Sequence, residues 1–167
     1  MNSIFVIGGA AIDITGKPDS VCRERDSNPG RVRIRVGGVG HNIACHLSHF
    51  HYRVEFVTAL GTGYHANMVR ESCEDSGVSL VHTLVSSEHT GTYVGVFDED
   101  GDMLVGISDM SVIDRITPEY LSPLLPRINK SDLCVVDGNL SPEALSFLCE
   151  SVSIPIFYDP VSCSKAK

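Results

Sequence analysis

The stretch RVRIRVGGVGHNIACHLSHF, residues 31–50, changes its period part-way along. Over residues 31–36 basic and apolar side chains alternate strictly. Val32, Ile34 and Val36 take one side and Arg31, Arg33 and Arg35 the other, which predicts a half-exposed strand. The arginine side reads as solvated, with attraction of an anion as the lesser reading. From about residue 42 to 50 the apolar spacing becomes that of an amphipathic helix. Between the two stand Gly37, Gly38 and Gly40, three glycines in four positions. Glycine loses the most backbone freedom on folding, so such a run needs a reason. One is a hinge: Gly37-Gly38 can absorb the backbone rotation of a lid that closes. Another is close approach, since Gly40 without a Cβ lets backbone amides come near a polar ligand at the helix start. Asn42, with an acceptor and two donors, suits adjacent sugar hydroxyls. Turn glycines ahead of a plain Asn42 N-cap remain the alternative on this segment alone.

Outward from this stretch, SIFVIGG at the N-terminus is a short apolar run ending in glycines, the pattern of a central strand. After Asp13 the chain turns polar (TGKPDS, RERDSNPG), which predicts a loop. Further strands are expected at RVEFVTALG, VSLVHTLV, DLCVVDGN and IPIFYDPV. GTYVGVFDEDGDMLVGI reads as a hairpin turning at Asp100-Gly101. Helices are expected over about residues 67–76, stopped by Gly77, and over 117–127, capped by Thr117 with Pro118 first. Another starts at Ser141-Pro142-Glu143. Strands alternating with helices imply an α/β fold with a mostly parallel sheet flanked by helices. RVRIRV and the hairpin break the alternation. They are expected to form a small β lid of about residues 15–36 and 90–108. Ligands of open parallel sheets sit at the carboxyl ends of the strands. Asp13, the Gly61 loop, residues 137–139 and Asp159 all belong to that rim; Asp159 alone could equally cap the next turn.

Composition narrows the function. The chain has 167 residues, 43% of them hydrophobic, and a net charge of −8, which repels phosphate backbones and excludes general nucleic-acid binding. No apolar run approaches the ~18 residues of a membrane span. The first residues lack the basic and apolar regions of a secretory leader, so a cytoplasmic location is expected. The six scattered cysteines include no C-x-x-C pair and read as reduced.

Motif tests eliminate two Gly-rich chemistries. A P-loop needs Lys-Ser or Lys-Thr after its glycines, and here His41-Asn42 follows. A dinucleotide fingerprint needs a third glycine where Ile43 stands. Gly61-Thr62-Gly63-Tyr64-His65-Ala66 matches G-x-G-x-x-A, but Thr83 occupies the position of the expected acid. His41, Cys45 and His49 recur on one helix face and are competent zinc ligands. Such a series more often serves packing and solvent contact, and no metal site is expected from it.

Gly37-Gly38-Val39-Gly40-His41-Asn42, with Asp13 after the first strand, resembles the first signature of the PfkB/ribokinase family of carbohydrate kinases. DSNPGRVRIRVGGVGHNIA, DGDMLVGISDM and IPIFYDPVS are similar to segments of the pseudouridine kinases within it. The resemblance implies a ribokinase-like fold and transfer of the ATP γ-phosphoryl group, with Mg²⁺, to a small-molecule nucleoside or sugar, here the 5′-hydroxyl of pseudouridine. It implies that Asp13 and Asn42 bind the ribose, that Gly37, Gly38 and Gly40 shape the pocket floor, and that Asn139, where ribokinases carry an acid, reaches the same sugar. Asp109 is implied as a base or lid contact, and a homodimer through the lid is possible. Gly63 stands where many relatives have Asp. The second signature of the family, an Asp-Thr-x-Gly-Ala-Gly-Asp loop carrying the general base, is not found in these residues. The resemblance therefore implies that the 167 residues hold the substrate side and are inactive alone. The alternatives are a non-catalytic nucleoside-binding or regulatory module and a kinase of another nucleoside or sugar.

Overall fold

A computed structural model describes residues 2–163. Its centre is a parallel sheet of β1 (Ser3–Ile7), β4 (Arg53–Val57), β9 (Leu133–Asp137) and β10 (Ile156–Asp159), in the order β10-β9-β1-β4. Strand β1 is apolar on both faces because both are covered, as parallel sheets require. Ile4 and Val6 pack with Val54, Phe56, Ala44 and Val69 on one side. Phe5 and Ile7 pack with Val57, Val136, Leu121, Ile128 and Leu148 on the other. Helices α1 (Val39–His49) and α2 (Tyr64–Asp75) cover the first side. The second is covered by the 3₁₀ turn Ser111–Arg115 and by α3 (Pro118–Leu121), α4 (Leu125–Ile128) and α5 (Pro142–Ser151). The mostly parallel α/β architecture expected from the sequence is the one observed.

A second four-stranded sheet stands off the first. It comprises β2 (Ala11–Pro18), β3 (Gly30–Gly37), β7 (Gly91–Phe97) and β8 (Met103–Asp109), in the order β3-β2-β7-β8. Its register separates two faces completely. Arg35, Asp13, Tyr93 and Ser108 form one cross-strand row, and Arg33, Thr15, Gly95 and Gly106 the next. The opposite face carries the rows Val36–Ile12–Thr92–Asp109, Ile34–Ile14–Val94–Ile107 and Val32–Gly16–Val96–Val105. Near the main sheet this apolar face is buried through Ile12, but at its outer end Val32 and Ile107 are 71% and 64% exposed. A short pair, β5 (Ala59–Leu60) with β6 (Leu84–Val85), completes the strands.

Four local expectations need correction. The TGKP segment is strand, not loop, because β2 pairs with β3 on one edge and β7 on the other as far as Gly16. Strand β3 is exposed on both faces over most of its length, not on one. VSLVHTLV holds only β6 and one bridge from Ser79 to Glu55, since the chain leaves the sheet between them. The expected helix over residues 117–127 is broken into α3, a 3₁₀ turn and α4, with Pro123 and Pro126 each opening a new segment.

A charged side chain is buried on the outer strand β4. Glu55 on β4 is 4% exposed and accepts two hydrogen bonds from Arg127, at 2.8 and 2.9 Å. Burial pushes its carboxyl group up, but the hydrogen bonds and charge of Arg127, with His82 and Arg53, outweigh this and hold it below the usual range. A depressed carboxylate stabilises the fold above its unfolded pKa, and that stabilisation is lost as pH falls through the folded value. Thermal melting is therefore expected to drop as pH falls below about 4.5. In Arg127→Met the main cause of the depression is gone and burial acts on Glu55 with less opposition, so the Glu55 share of that drop is expected to shrink or reverse, and identical pH profiles for the two proteins would refute the role of this pair.

Candidate functional site

In the main sheet the chain moves outward from β1 to β4 on one side and to β9 and β10 on the other. The crevice between β1 and β9 is thus the switch point at which open α/β sheets bind ligands. The polar group that organises it is Asp137, the last residue of β9, which is 1% exposed. Its Oδ2 accepts the backbone N–H of Gly9, beyond β1, and of Gly40, in the first turn of α1, each at 2.8 Å. Its Oδ1 accepts the N–H of Asn139 at 2.9 Å. The N–H of His41 then donates to the carbonyl of Gly9 at 3.1 Å. One carboxylate and one carbonyl thus fasten the start of α1 to the end of β1, at the end of α1 where negative charge is favoured. Burial raises the Asp137 carboxyl group, and the amide hydrogen bonds oppose the rise.

The glycines of the opening stretch each meet a separate obstacle. A Cβ on Gly37 would collide with the Asp13 carboxylate. Gly38 has φ +95 and faces the carbonyl of Gly9, with 2.6 Å from its would-be Cβ to that oxygen. At Gly40 a Cβ would sit 2.9 Å from the carbonyl carbon of Gly8 and 3.1 Å from Oδ2 of Asp137. The helix begins at Val39 with Gly38 as its N-cap and without a side-chain cap. The N-cap reading of Asn42 is therefore wrong, and the helix starts three residues earlier than its apolar spacing suggests.

Asp13, Gly37, Gly38, Gly40 and Asn42 come together in this corner. Asp13 is half-buried on β2. Burial raises its carboxyl group, and the nearby His41 opposes the rise. Asn42 is exposed, and its Oδ1 accepts from Nδ1 of the buried His41 at 3.2 Å. His41 thus stands between the two polar groups, and it went unnoticed as a partner because its role depends on a neighbour 28 positions away. Asn139 joins from the end of β9, its Nδ2 lying 2.9 Å from where a Gly9 Cβ would be. Asp109 does not join. Its register places it with Ile12 and Thr92 on the opposite face from Asp13, and its carboxylate accepts from the hydroxyl and N–H of Ser111 at 2.8 and 3.3 Å. These bonds hold the Asp109 carboxyl group below its ordinary value.

Two further groups face the same way as Asp13, and of their members only the arginines were considered from the sequence. Tyr93 is its cross-strand neighbour, lying over Gly95 and Gly106, where side chains would strike the ring. One row further out, a cavity of about 640 Å³ is lined by Thr15, Lys17, Arg31, Arg33 and Phe97. The arginines are thus neighbours of the Asp13 corner and not only a solvated edge. Asp159 follows the plainer expectation, its Oδ1 accepting from the N–H of Val161 at 2.8 Å. The Gly61 turn is a packed βα turn under residues 88–90, with its N–H donated to Thr90.

Comparison with known proteins places this geometry. Residues 1–155 match the pfkB family carbohydrate kinase model. The chain belongs to that family. It is 35% identical over 164 residues to the pseudouridine kinase of Escherichia coli K12, an alignment covering 97% of this chain and 52% of that protein. A carbohydrate kinase structure from Agrobacterium tumefaciens superposes with a TM-score of 0.87 at 27% identity, covering 99% of this chain and 56% of that one. The ribokinase of Arabidopsis thaliana complexed with ribose and ATP superposes with a TM-score of 0.78 at 20% identity, covering 94% of this chain and 53% of that one. The chain thus spans about half the length of the relatives it matches.

Asp137 carries the geometry of the corner. Asp137→Asn turns an amide N–H₂ toward backbone donors and is expected to cost about 2–4 kcal/mol. Gly40→Ala is expected to destabilise by a similar amount, whereas Gly63→Ala, whose Cβ meets nothing, should cost only the strain of its φ of +85. Chemical denaturation of the three variants checks this ranking, and an unperturbed Gly40→Ala would refute it.

Proposed function

We propose that this chain forms the acceptor-binding side of a kinase that transfers the γ-phosphoryl group of ATP to the 5′-hydroxyl of pseudouridine. The observation that carries the reading is the corner built around His41 and Gly9, where Asp13 and Asn42 both neighbour His41 and Asn139 lies against Gly9. It occurs in a chain 35% identical to a pseudouridine kinase along nearly all its length. Asp13 supplies a carboxylate that accepts from two adjacent ribose hydroxyls, the strong charge-assisted kind of hydrogen bond. Because His41 occupies Oδ1 of Asn42, the N–H₂ group of that amide is left to donate to the same ring. Asn139 adds a contact from the β9 end. Tyr93 offers an aromatic face beside Asp13 for the base.

The second sheet acts in this reading as a lid, covering the sugar and excluding water from the transfer. ATP enters through the family. Mg²⁺ requires oxygen ligands. Among the described residues the only cluster of three metal-capable side chains has nitrogen and sulfur donors, so no residue of this chain is assigned to Mg²⁺. Asp109, turned to the other face and engaged by Ser111, is not assigned as the base.

Steady-state kinetics of the protein carrying this chain test the reading. Asp13→Asn is expected to lower kcat/KM for pseudouridine by roughly 10²-fold, mostly through KM, since hydrogen bonds to charged groups contribute about 1.5–3 kcal/mol each. The KM for ATP should stay the same. Pseudouridine turnover unaffected by Asp13→Asn would overturn the assignment, and faster turnover of ribose than of pseudouridine would replace the substrate.

We infer as well that the outer, apolar face of the second sheet pairs two copies of the chain, since Val32, Ile34, Val105 and Ile107 are all about half exposed or more. Ile107→Lys is expected to convert a dimer to a monomer in sedimentation velocity at micromolar concentration. A wild-type monomer under those conditions would refute the pairing.

A further inference from the structure

Behind Asn42, between α1 and α2, lies a group of side chains that sugar binding does not use. His41 and Cys45 stand one turn apart on α1, and Cys73 approaches from the last turn of α2. All three residues are buried, at 4%, 9% and 0% exposure. The Nε2 atom of His41 lies 3.4 Å from Sγ of Cys45, and the three potential ligand atoms lie within 4.8 Å of one another. His49, which the helical repeat offered as the third member, is exposed at the C-terminal end of α1.

We propose that His41, Cys45 and Cys73 form a binding site for a soft divalent cation of the zinc class. The donor set is chemically suited to it: one imidazole and two thiols, with bonds of about 2.0–2.3 Å placing tetrahedral ligands some 3.5–4 Å apart. The observed nitrogen-to-sulfur separation of 3.4 Å falls just short of that range, so a small outward shift admits the ion. Charge balances too, since two thiolates neutralise a divalent ion and a neutral imidazole adds no charge, so the complex can lie in a buried position.

The outer contacts match those of a built site. A metal-bound histidine nearly always donates its other ring N–H to a carbonyl or carboxylate, which fixes the tautomer. Nδ1 of His41 makes that bond with the Asn42 carbonyl oxygen, leaving Nε2 as the ligand atom. Ser72, whose hydroxyl is 3.0 Å from Nε2, lies beside the fourth position, which a water or this hydroxyl can fill. Binding exchanges two thiol protons for the ion, with no change of oxidation state.

Cobalt(II) titration of reduced protein, read by its thiolate-to-metal charge-transfer and tetrahedral d–d absorption, tests the proposal. One equivalent is expected to bind, to be displaced by zinc, and to raise the melting temperature. Cys73→Ser should abolish the absorption. Because a buried substitution can perturb folding, Asn42→Ala on the surface supplies an independent test: it should weaken cobalt binding about 10- to 100-fold, as loss of such an outer contact does. His49→Ala and the triple replacement of Cys22, Cys149 and Cys163 by Ser should leave binding unchanged. No charge-transfer band in folded wild-type protein would overturn the site. So would binding that survives Cys73→Ser, or binding that disappears with His49→Ala.

Discussion

A single buried carboxylate governs how this chain comes together. Asp137 belongs to the strand β9, yet two of the three amides it holds come from positions 128 and 97 residues earlier. An Asp with 1% exposure would be costly if it were not fully hydrogen-bonded. The same requirement makes it a positional device: β1, β9 and the start of α1 can satisfy it only in one mutual arrangement. Gly8, Gly9 and Gly40 are the other half of that constraint, because any side chain at Gly8 or Gly40 would intrude on the carboxylate. The costly glycines and the costly charge are therefore one feature. What they produce is a rigid corner with the Asp13 strand along one wall.

Much of this was legible in local sequence. Strands β1 and β9 are continuous apolar runs because both faces are covered, and α5 starts at Ser141 because that hydroxyl accepts from the N–H of Ala144 at 3.2 Å. Asp13, Asn42 and the glycines could be singled out from residue chemistry and resemblance. What stayed hidden depends on partners distant in the chain. TGKP looks like a loop in isolation and becomes strand only when β3 and β7 pair with it. The hinge reading of Gly37-Gly38 came from composition, whereas the positions are dictated by contacts with Asp13 and Gly9 that no spacing rule contains. Helical periodicity over residues 117–127 ignored what Pro123 and Pro126 do to a helix. The Cys73 partner of His41 and Cys45 lies on another helix, where a repeat along α1 cannot find it.

The second sheet shows how one strand pattern serves two environments. Strict alternation in RVRIRV places arginines on the face of Asp13 and aliphatic residues on the face that meets the core near Ile12. Since the sheet extends beyond the main body, its outer aliphatic residues lie in water, an arrangement natural proteins seldom leave uncovered. On the inner face Arg35, Arg33 and Arg31 follow one another along β3 toward the tip, opposite Asp13, Thr15 and Lys17. The cavity there carries both signs, with Lys17, Arg31 and Arg33 beside Asp19 and Glu99, and Arg31 lies 3.9 Å from Asp19.

His41 is where these threads meet. Its backbone N–H helps fasten α1 to β1, its ring lies close enough to Asp13 to oppose that carboxyl group's upward shift, and its Nδ1 orients Asn42. Burial opposes a charge on the ring, and the contacts with Cys45, Asn42 and Asp13 more than offset that, leaving its pKa raised. A positively charged ring would tighten Asp13 in its ionised form, whereas a ring whose Nε2 is shared with a cation keeps Nδ1 as a fixed donor to Asn42. In both states Nδ1 carries the proton, so the amide keeps one orientation. The polar corner therefore does not depend on which state prevails, and that explains how a titratable ring can be built into a site whose hydrogen-bond directions must not change.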